Sequence, residues 1–144
     1  MNNFIFKSGI TESQINELIN YSNTDHQIIQ FTSDKTRFAD LSAYKLWFSK
    51  KNPTIYTLTD KSNHLCGLIW FEGDTFAIRL YDKARGKGLS LDFMKQAFDD
   101  FKPKNVWLKT SADNLPAIST YKKFGFKQTT EPDDKGKIIM TYSL

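Results

Sequence analysis

The sequence predicts a single α/β domain of the layered α+β kind, in which helices cover both faces of a mixed β-sheet. Its 144 residues suit one hydrophobic core. Apolar residues recur with helical period in four segments, and β-branched and aromatic runs lie between them. The order of these segments along the chain is typical of a layered sheet, so we treat residues 1–144 as one domain.

The chain begins with signals for one strand and one helix. The strand is NNFIF at residues 2–6, and the helix spans residues 9–23. Thr11 and Gln14 fit the capping box that opens many helices. The apolar face of this helix is formed by Ile15, Leu18 and Ile19.

A second helix is predicted after a stretch without a clear signal, residues 25–37. It spans residues 38–51 and must stop before Pro53, because proline cannot continue a helix. Its apolar positions recur with the helical period. They are Leu41, Tyr44, Trp47 and Phe48.

The centre of the chain changes to strand signals. Residues 54–59, 64–72 and 75–81 are joined by short turn sequences, which predicts a three-stranded antiparallel meander. The one cysteine, Cys66, falls inside the second of these runs, and we expect it in the core. A single cysteine forms no internal disulfide, and no apolar run is long enough to cross a bilayer, so we expect a cytoplasmic protein that does not bind membranes.

The second half returns to alternating helix and strand. A helix follows the loop at residues 85–90 and ends before Pro103, a strand covers residues 105–110, and a final strand covers residues 137–144. Between these two strands, residues 114–124 predict a helix that Asn114 opens as N-cap and Gly125 closes.

Positive charge is concentrated in this second half. The formal net charge is +4, and all of the excess lies after Glu72. Such an excess favours a polyanionic ligand, either nucleic acid or a small molecule. No stripe of alternating arginine and aromatic residues supports nucleic acid. The two histidines lack the spacing of metal ligands, so no metal is expected.

The loop RGKGLS at residues 85–90 is the first candidate site. Amides at a helix N-terminus have no partner within the helix and attract anions, and glycine lets an anion approach the backbone. Arg85 and Lys87 add positive charge beside Gly86 and Gly88. The pattern fits a phosphate or pyrophosphate, or alternatively a basic glycine turn with no ligand.

A second segment makes the pattern specific. Arg85-x-x-Gly88-x-Ser90 opens one helix, and Asn114-x-x-Ala117-x-x-x-Tyr121-x-x-x-Gly125-Phe126 forms the next helix and its closing turn. Together they resemble the two signature segments of the GNAT superfamily of acyl-CoA-dependent N-acyltransferases. The predicted order of elements resembles that family over nearly the whole chain. In one departure, Ser90 stands where the family usually has glycine or alanine.

The resemblance implies a mostly antiparallel sheet with helices on both faces, and acetyl-CoA as co-substrate. The amides of the 85–90 loop would bind the pyrophosphate of CoA, and the strand end would hydrogen-bond the pantetheine arm, which Asn114 would also touch. The residues implied to bind CoA are Leu80, Tyr81, Arg85, Gly86, Lys87, Gly88, Leu89, Ser90, Asn114 and Tyr121.

The resemblance also implies two catalytic roles. Tyr121 matches the family tyrosine placed to give a proton to the departing thiolate, and its alternative role is a core aromatic. Glu72 ends the middle strand of the meander, where related enzymes often carry a base or a group that holds water. Its alternative is a solvated strand end.

The acceptor amine is not specified by the sequence. We expect its pocket between the first two helices and the loop after Glu72, where five aromatic residues either line a pocket or form core: Tyr44, Trp47, Phe48, Trp70 and Phe71. The sequence thus predicts an N-acetyltransferase that binds acetyl-CoA and an amine, as a monomer or homodimer. The alternatives are a CoA-binding sensor without activity and a small basic nucleic-acid-binding protein.

Overall fold

Seven strands form one sheet in a computed structural model, which describes residues 3–143. The strands are β1 (Phe4–Ser8), β2 (Thr54–Asp60), β3 (Leu65–Glu72), β4 (Thr75–Leu80), β5 (Asn105–Ser111), β6 (Lys127–Gln128) and β7 (Lys137–Ser143). Their order across the sheet is β1-β2-β3-β4-β5-β7-β6. Every neighbouring pair is antiparallel except β4 with β5. Asn2 and Leu144, the outer ends of the first and last predicted strands, lie outside the described residues.

Helices cover both faces of this sheet, as predicted. They are α1 (Glu12–Thr24), α2 (His26–Phe31), α3 (Asp34–Arg37), α4 (Leu41–Lys51), α5 (Ser90–Phe101) and α6 (Leu115–Phe124). Side chains of α1, α2 and α4 pack with one face of the strands, and those of α5 and α6 pack with the other. Because neighbouring residues of a strand point to opposite faces, β3 contributes Ile69 to one core and Trp70 to the other.

The helix boundaries follow from side-chain caps. Thr11 and Gln14 form the predicted capping box at the start of α1. The predicted helix over residues 38–51 instead begins at Leu41, because the carboxylate of Asp40 accepts a hydrogen bond from the amide of Ala43 and so ends the preceding loop. Asn52 closes α4 in the left-handed conformation, directly before Pro53.

The stretch without a sequence signal, residues 25–37, forms the two short helices α2 and α3. Asp25 caps α2 by accepting hydrogen bonds from the amides of Gln27 and Ile28. The two helices have six and four residues, which is too short to show an amphipathic period. The hydrophobic pattern of the sequence therefore does not predict them. They lie on the same face as α1 and α4.

The strands β4 and β5 diverge after a single point of contact. Their only register pair is Thr75 with Trp107, supported by a hydrogen bond from the Trp107 amide to the Asp74 carbonyl. Beyond it, residues 76–80 of β4 have no strand partner on the β5 side. The sheet therefore opens into a wedge at its centre.

Cys66 lies in the core, as predicted, with none of its surface exposed. Burial raises the pKa of its thiol, and the negative charge of Asp60 raises it further. Among residues 3–143, no helix is long and apolar enough to span a bilayer.

Candidate active site

A cavity of about 630 Å³ occupies the wedge between β4 and β5. Its walls come from α2, the turn into α3 and the end of α3, the end of β3, all of β4, the middle of β5, the start of β7, the start of α5, and α6. Seven of the predicted site residues line it: Glu72, Leu80, Arg85, Gly86, Ser90, Asn114 and Tyr121. The lining thus combines residues from elements on both faces of the sheet.

The loop at residues 85–90 forms one end of this cavity. Gly86 and Gly88 adopt φ angles of 72° and 69°, a left-handed conformation that favours glycine. A Cβ at either position would meet no atom within 4 Å, so both glycines face open space. No side chain caps the N-terminus of α5, whose first amides lack partners within the helix. These features suit an anion bound against the backbone.

The Arg85 side chain has a protein partner. Its Nη2 donates hydrogen bonds of 2.8 and 2.7 Å to the two carboxylate oxygens of Asp25, the residue that caps α2. The sequence predicts that the Arg85 charge lies beside a phosphate. In the structure the guanidinium is instead paired with a carboxylate of the protein. Arg85 thus ties the loop to α2 and limits the freedom of the backbone that would hold the anion.

The opposite wall is formed by the first turns of α6. Asn114 occupies the predicted N-cap position, but its side chain caps none of the amides of α6. Its carboxamide lines the cavity and has no hydrogen-bond partner in the described part of the chain, so it is available to a ligand.

Tyr121 lies further along α6 and borders the same cavity, with 9% of its surface exposed. Burial raises the pKa of its phenol above the ordinary value of 10.0, and the nearby positive charge of Arg79 only partly opposes this rise. The hydroxyl therefore keeps its proton at neutral pH. It can act as a proton donor.

Glu72 ends β3 at the far side of the cavity. One of its carboxylate oxygens accepts a 2.9 Å hydrogen bond from the indole Nε1 of Trp47, a residue of α4. No described residue donates to the other oxygen. This side chain is thus fixed in place and still has one oxygen free for a ligand.

The sequence prediction missed a buried cluster of charge that contributes two arginines to the same cavity. Asp34 is fully buried and accepts hydrogen bonds of 2.7 and 3.1 Å from Arg79 and of 2.7 Å from Arg37. Both arginines line the cavity and lie over the ring of Trp70, at 4.9 and 5.6 Å. In the sequence, the one indication of this cluster is that Arg79 lies inside the apolar run TFAIRLY.

Other predicted residues lie outside the cavity lining. The Tyr81 ring is fully buried and stacks on Tyr21 at 4.2 Å, while its amide donates to Cys66 and its carbonyl accepts from Ala84. Lys87 and Gly88 are exposed on the loop, and Leu89 is buried in the core.

Most of the aromatic residues proposed for the acceptor pocket belong to the core. Tyr44, Trp47 and Phe71 are buried without lining the cavity, and Phe48 lies at the surface. Trp70 alone of the five contacts the cavity. Among residues 3–143, no three His, Cys, Asp or Glu side chains are grouped so as to hold a metal ion.

The sequence profile of the acetyltransferase (GNAT) family matches residues 16–126, which is most of the chain and includes both motifs. The chain belongs to the GNAT acetyltransferase family. A search of curated protein sequences found no match.

Solved structures confirm the GNAT fold over the full length. The spermidine N-acetyltransferase of Vibrio cholerae, in complex with CoA and spermine, superposes with a TM-score of 0.81 at 14% identity, covering 99% of this chain and 96% of that one. The ribosomal-protein-S5-alanine acetyltransferase of Vibrio fischeri gives 0.75 at 12% identity, with 99% and 94% covered. A domain from Methanocaldococcus jannaschii gives 0.75 at 17% identity, with 98% of each chain covered.

Proposed function

We propose that this GNAT protein transfers an acetyl group from acetyl-CoA directly to a primary amine, with both substrates bound at once. The observation that carries the proposal is the wedge between β4 and β5, because one cavity there brings the 85–90 loop, Tyr121 and Glu72 around a common space. A protein that only binds CoA needs the 85–90 loop but neither Tyr121 nor Glu72. The convergence of all three favours an enzyme.

Acetyl-CoA would enter from the side of α5 and α6. The backbone of residues 76–80 has no strand partner on the β5 side, and apart from the Ile78 carbonyl, which accepts from Arg79, it offers hydrogen bonds to the amide groups of the pantetheine arm, as an added strand would. The uncapped amides of α5 would hold the pyrophosphate, and the free carboxamide of Asn114 would hold the arm. The neutral phenol of Tyr121 would then face the thioester.

The reaction balances with the groups present. Glu72 takes a proton from the ammonium of the acceptor, and the resulting lone pair attacks the thioester carbon to form a C–N bond. As the C–S bond breaks, its electron pair goes to sulfur, which takes the phenolic proton of Tyr121. The second proton on nitrogen restores the phenol. The products are an N-acetyl amide, the thiol of CoA, and one proton released to solvent.

Replacing the phenol tests this assignment. We expect Tyr121→Phe to lower kcat roughly a hundredfold, within the range for loss of a general acid. Its Kd for acetyl-CoA, measured by calorimetry, should change less than about threefold, because the ring is retained. The control is Tyr142→Phe, which removes a hydroxyl that does not line the cavity.

An unchanged kcat in Tyr121→Phe would rule out Tyr121 as the acid. Binding of acetyl-CoA by the wild-type protein without transfer to any amine would favour the CoA sensor. Binding of DNA or RNA that falls steeply with salt, with no affinity for acetyl-CoA, would favour the nucleic-acid-binding alternative.

A further inference from the structure

The cavity is strongly cationic. Five basic side chains line it: Arg37, Arg79, Arg85, Lys109 and Lys137. Of these, Arg85 is already paired with Asp25. Glu72 is the one acidic residue among the described residues of the lining. Asp34 is fully buried and accepts hydrogen bonds from both Arg37 and Arg79, so it offsets one of their two charges and leaves one net positive charge in this cluster.

Of the two arginines that bind Asp34, Arg37 is the one with free donors. Its Nη1 donates to Asp34, and no other hydrogen bond joins its guanidinium to the described residues. About a third of its side chain is exposed. Arg79, in contrast, is committed to Asp34 and to the Ile78 carbonyl through Nε and both terminal nitrogens. Arg37 can therefore form two further parallel bonds, the geometry that suits a carboxylate.

Arg37 and Glu72 flank the same pair of indole rings. The guanidinium of Arg37 lies 5.6 Å from the ring centre of Trp70, which packs edge-to-face on Trp47 at 5.4 Å. Trp47 in turn holds the carboxylate of Glu72 at 2.9 Å. The cavity wall thus presents one fixed anion and one partly free cation, separated by rigid aromatic rings.

We infer that the acceptor is a small amine that also carries a carboxylate, as an amino acid does, and that Arg37 determines this specificity. The inference rests on the proposed function. The ammonium lies toward the free oxygen of Glu72, and the carboxylate is held by the free donors of Arg37. Opposite charges at two points also fix which end of the acceptor faces the thioester.

A polyamine does not fit this wall. Such a cation would place its second ammonium among Arg37, Lys109 and Lys137, and like charges in a partly desolvated cavity repel. Lys109 is partly offset by Asp133 at 3.6 Å, but that pair lies at the surface. The fold shared with a spermidine acetyltransferase at 14% identity does not by itself carry acceptor specificity.

The test compares matched acceptors. Initial rates of CoA release are measured with a panel of amino acids, with the corresponding amino-acid amides, and with spermidine. We expect the acid of at least one pair to exceed its amide roughly tenfold to a hundredfold in kcat/KM, the range for a charge-assisted bond. Spermidine should be a poorer substrate than that acid.

Variants at residue 37 show whether this residue sets the preference. Arg37→Gln should raise KM for the preferred acid and bring the ratio of acid to amide close to one, and Arg37→Lys should retain part of the ratio. Lys35→Gln is the control, because it removes a positive charge from the same short helix without lining the cavity. Thermal melts show whether each variant is folded.

A binding readout separates this inference from the proposed function. Tryptophan fluorescence of the protein is titrated with each acid and amide, with and without saturating CoA, and Trp70 in the wall reports occupancy. Failure to bind acetyl-CoA would overturn the proposed function. Three results would overturn the inference and leave the proposed function standing. They are acetyl transfer with equal use of acids and amides, a preference for spermidine, and an acid preference that persists in Arg37→Gln.

Discussion

At the scale of single residues, the most demanding arrangement is the carboxylate of Asp34 between two arginines. Burial alone would raise the pKa of Asp34, but the charges and hydrogen bonds of Arg79 and Arg37 hold it below its ordinary value. Asp34 comes from α3 and Arg79 from β4, so the pair also fixes a short helix on the sheet. Loss of the carboxylate would leave two guanidinium groups without their counter-ion.

We expect Asp34→Asn to destabilise the protein by about 3 kcal/mol at pH 7, the range for breaking a buried ion pair. Asp99→Asn, in an exposed pair with Lys95, should change stability by less than about 1 kcal/mol. Urea unfolding measures both.

The Asp34 effect depends on pH in a defined direction. Because the folded pKa of Asp34 is lowered, its stabilisation is fully present above the unfolded value of about 3.9 and is lost as pH falls through the folded value. The difference in the free energy of unfolding between wild type and Asp34→Asn should therefore become smaller below about pH 4. A difference in the free energy of unfolding that stays constant down to pH 2 would contradict this account.

The sequence could not reveal this cluster. Tyr121, Asn114 and the glycines are readable because each belongs to a local pattern with fixed spacing. Asp34 and Arg79 are 45 positions apart, and Arg37 lies in a stretch without periodicity. Pairing over such a distance depends on tertiary packing, which no local pattern records.

At the scale of elements, the loop before α5 is the feature on which cofactor binding depends. The loop combines two left-handed glycines with an uncapped helix end, and the Arg85–Asp25 pair ties it to α2. The sequence predicted that the glycines lie beside a bound anion and that a helix follows the loop. It also predicted that the Arg85 side chain lies beside that anion, whereas the structure pairs it with Asp25. Its partner Asp25 lies on α2, a helix that the pattern did not show.

We expect Gly86→Glu to weaken acetyl-CoA binding at least tenfold, because Gly86 lines the cavity and a carboxylate there adds bulk and negative charge beside the anion. Gly9→Glu is the matched control. Gly9 has a φ of 87° and open space around it, so the backbone strain is comparable, but it lies outside the cavity. Calorimetry compares the two variants, and equal affinities would show that the loop does not hold the cofactor.

At the scale of the whole molecule, the sheet consists of two halves that meet at one register pair. The strands β1–β4 form one half and β5, β7 and β6 the other, joined by Thr75 and Trp107 and by the shared core under α5 and α6. The sequence predicted most strands and helices but not this divergence, because strand runs carry no information on where two neighbours separate.

A ligand that fills the wedge should therefore join the halves. At a concentration of 100 times its Kd, acetyl-CoA should raise the free energy of unfolding by about 2.7 kcal/mol. Hydrogen exchange of the amides at residues 76–80 should slow on binding, while those of β1 should not change. Stabilisation by acetyl-CoA without slower exchange at β4 would place the ligand elsewhere.

The buried thiol of Cys66 has a practical consequence for all of these assays. A thiol-reactive dye reacts with thiolates, and the only cysteine of this chain is enclosed in the core with a raised pKa. The folded protein should contribute almost no background colour, so the dye reports released CoA continuously. A slow rise in signal without substrate would in turn report global opening of the fold, which gives each variant an internal gauge of its integrity.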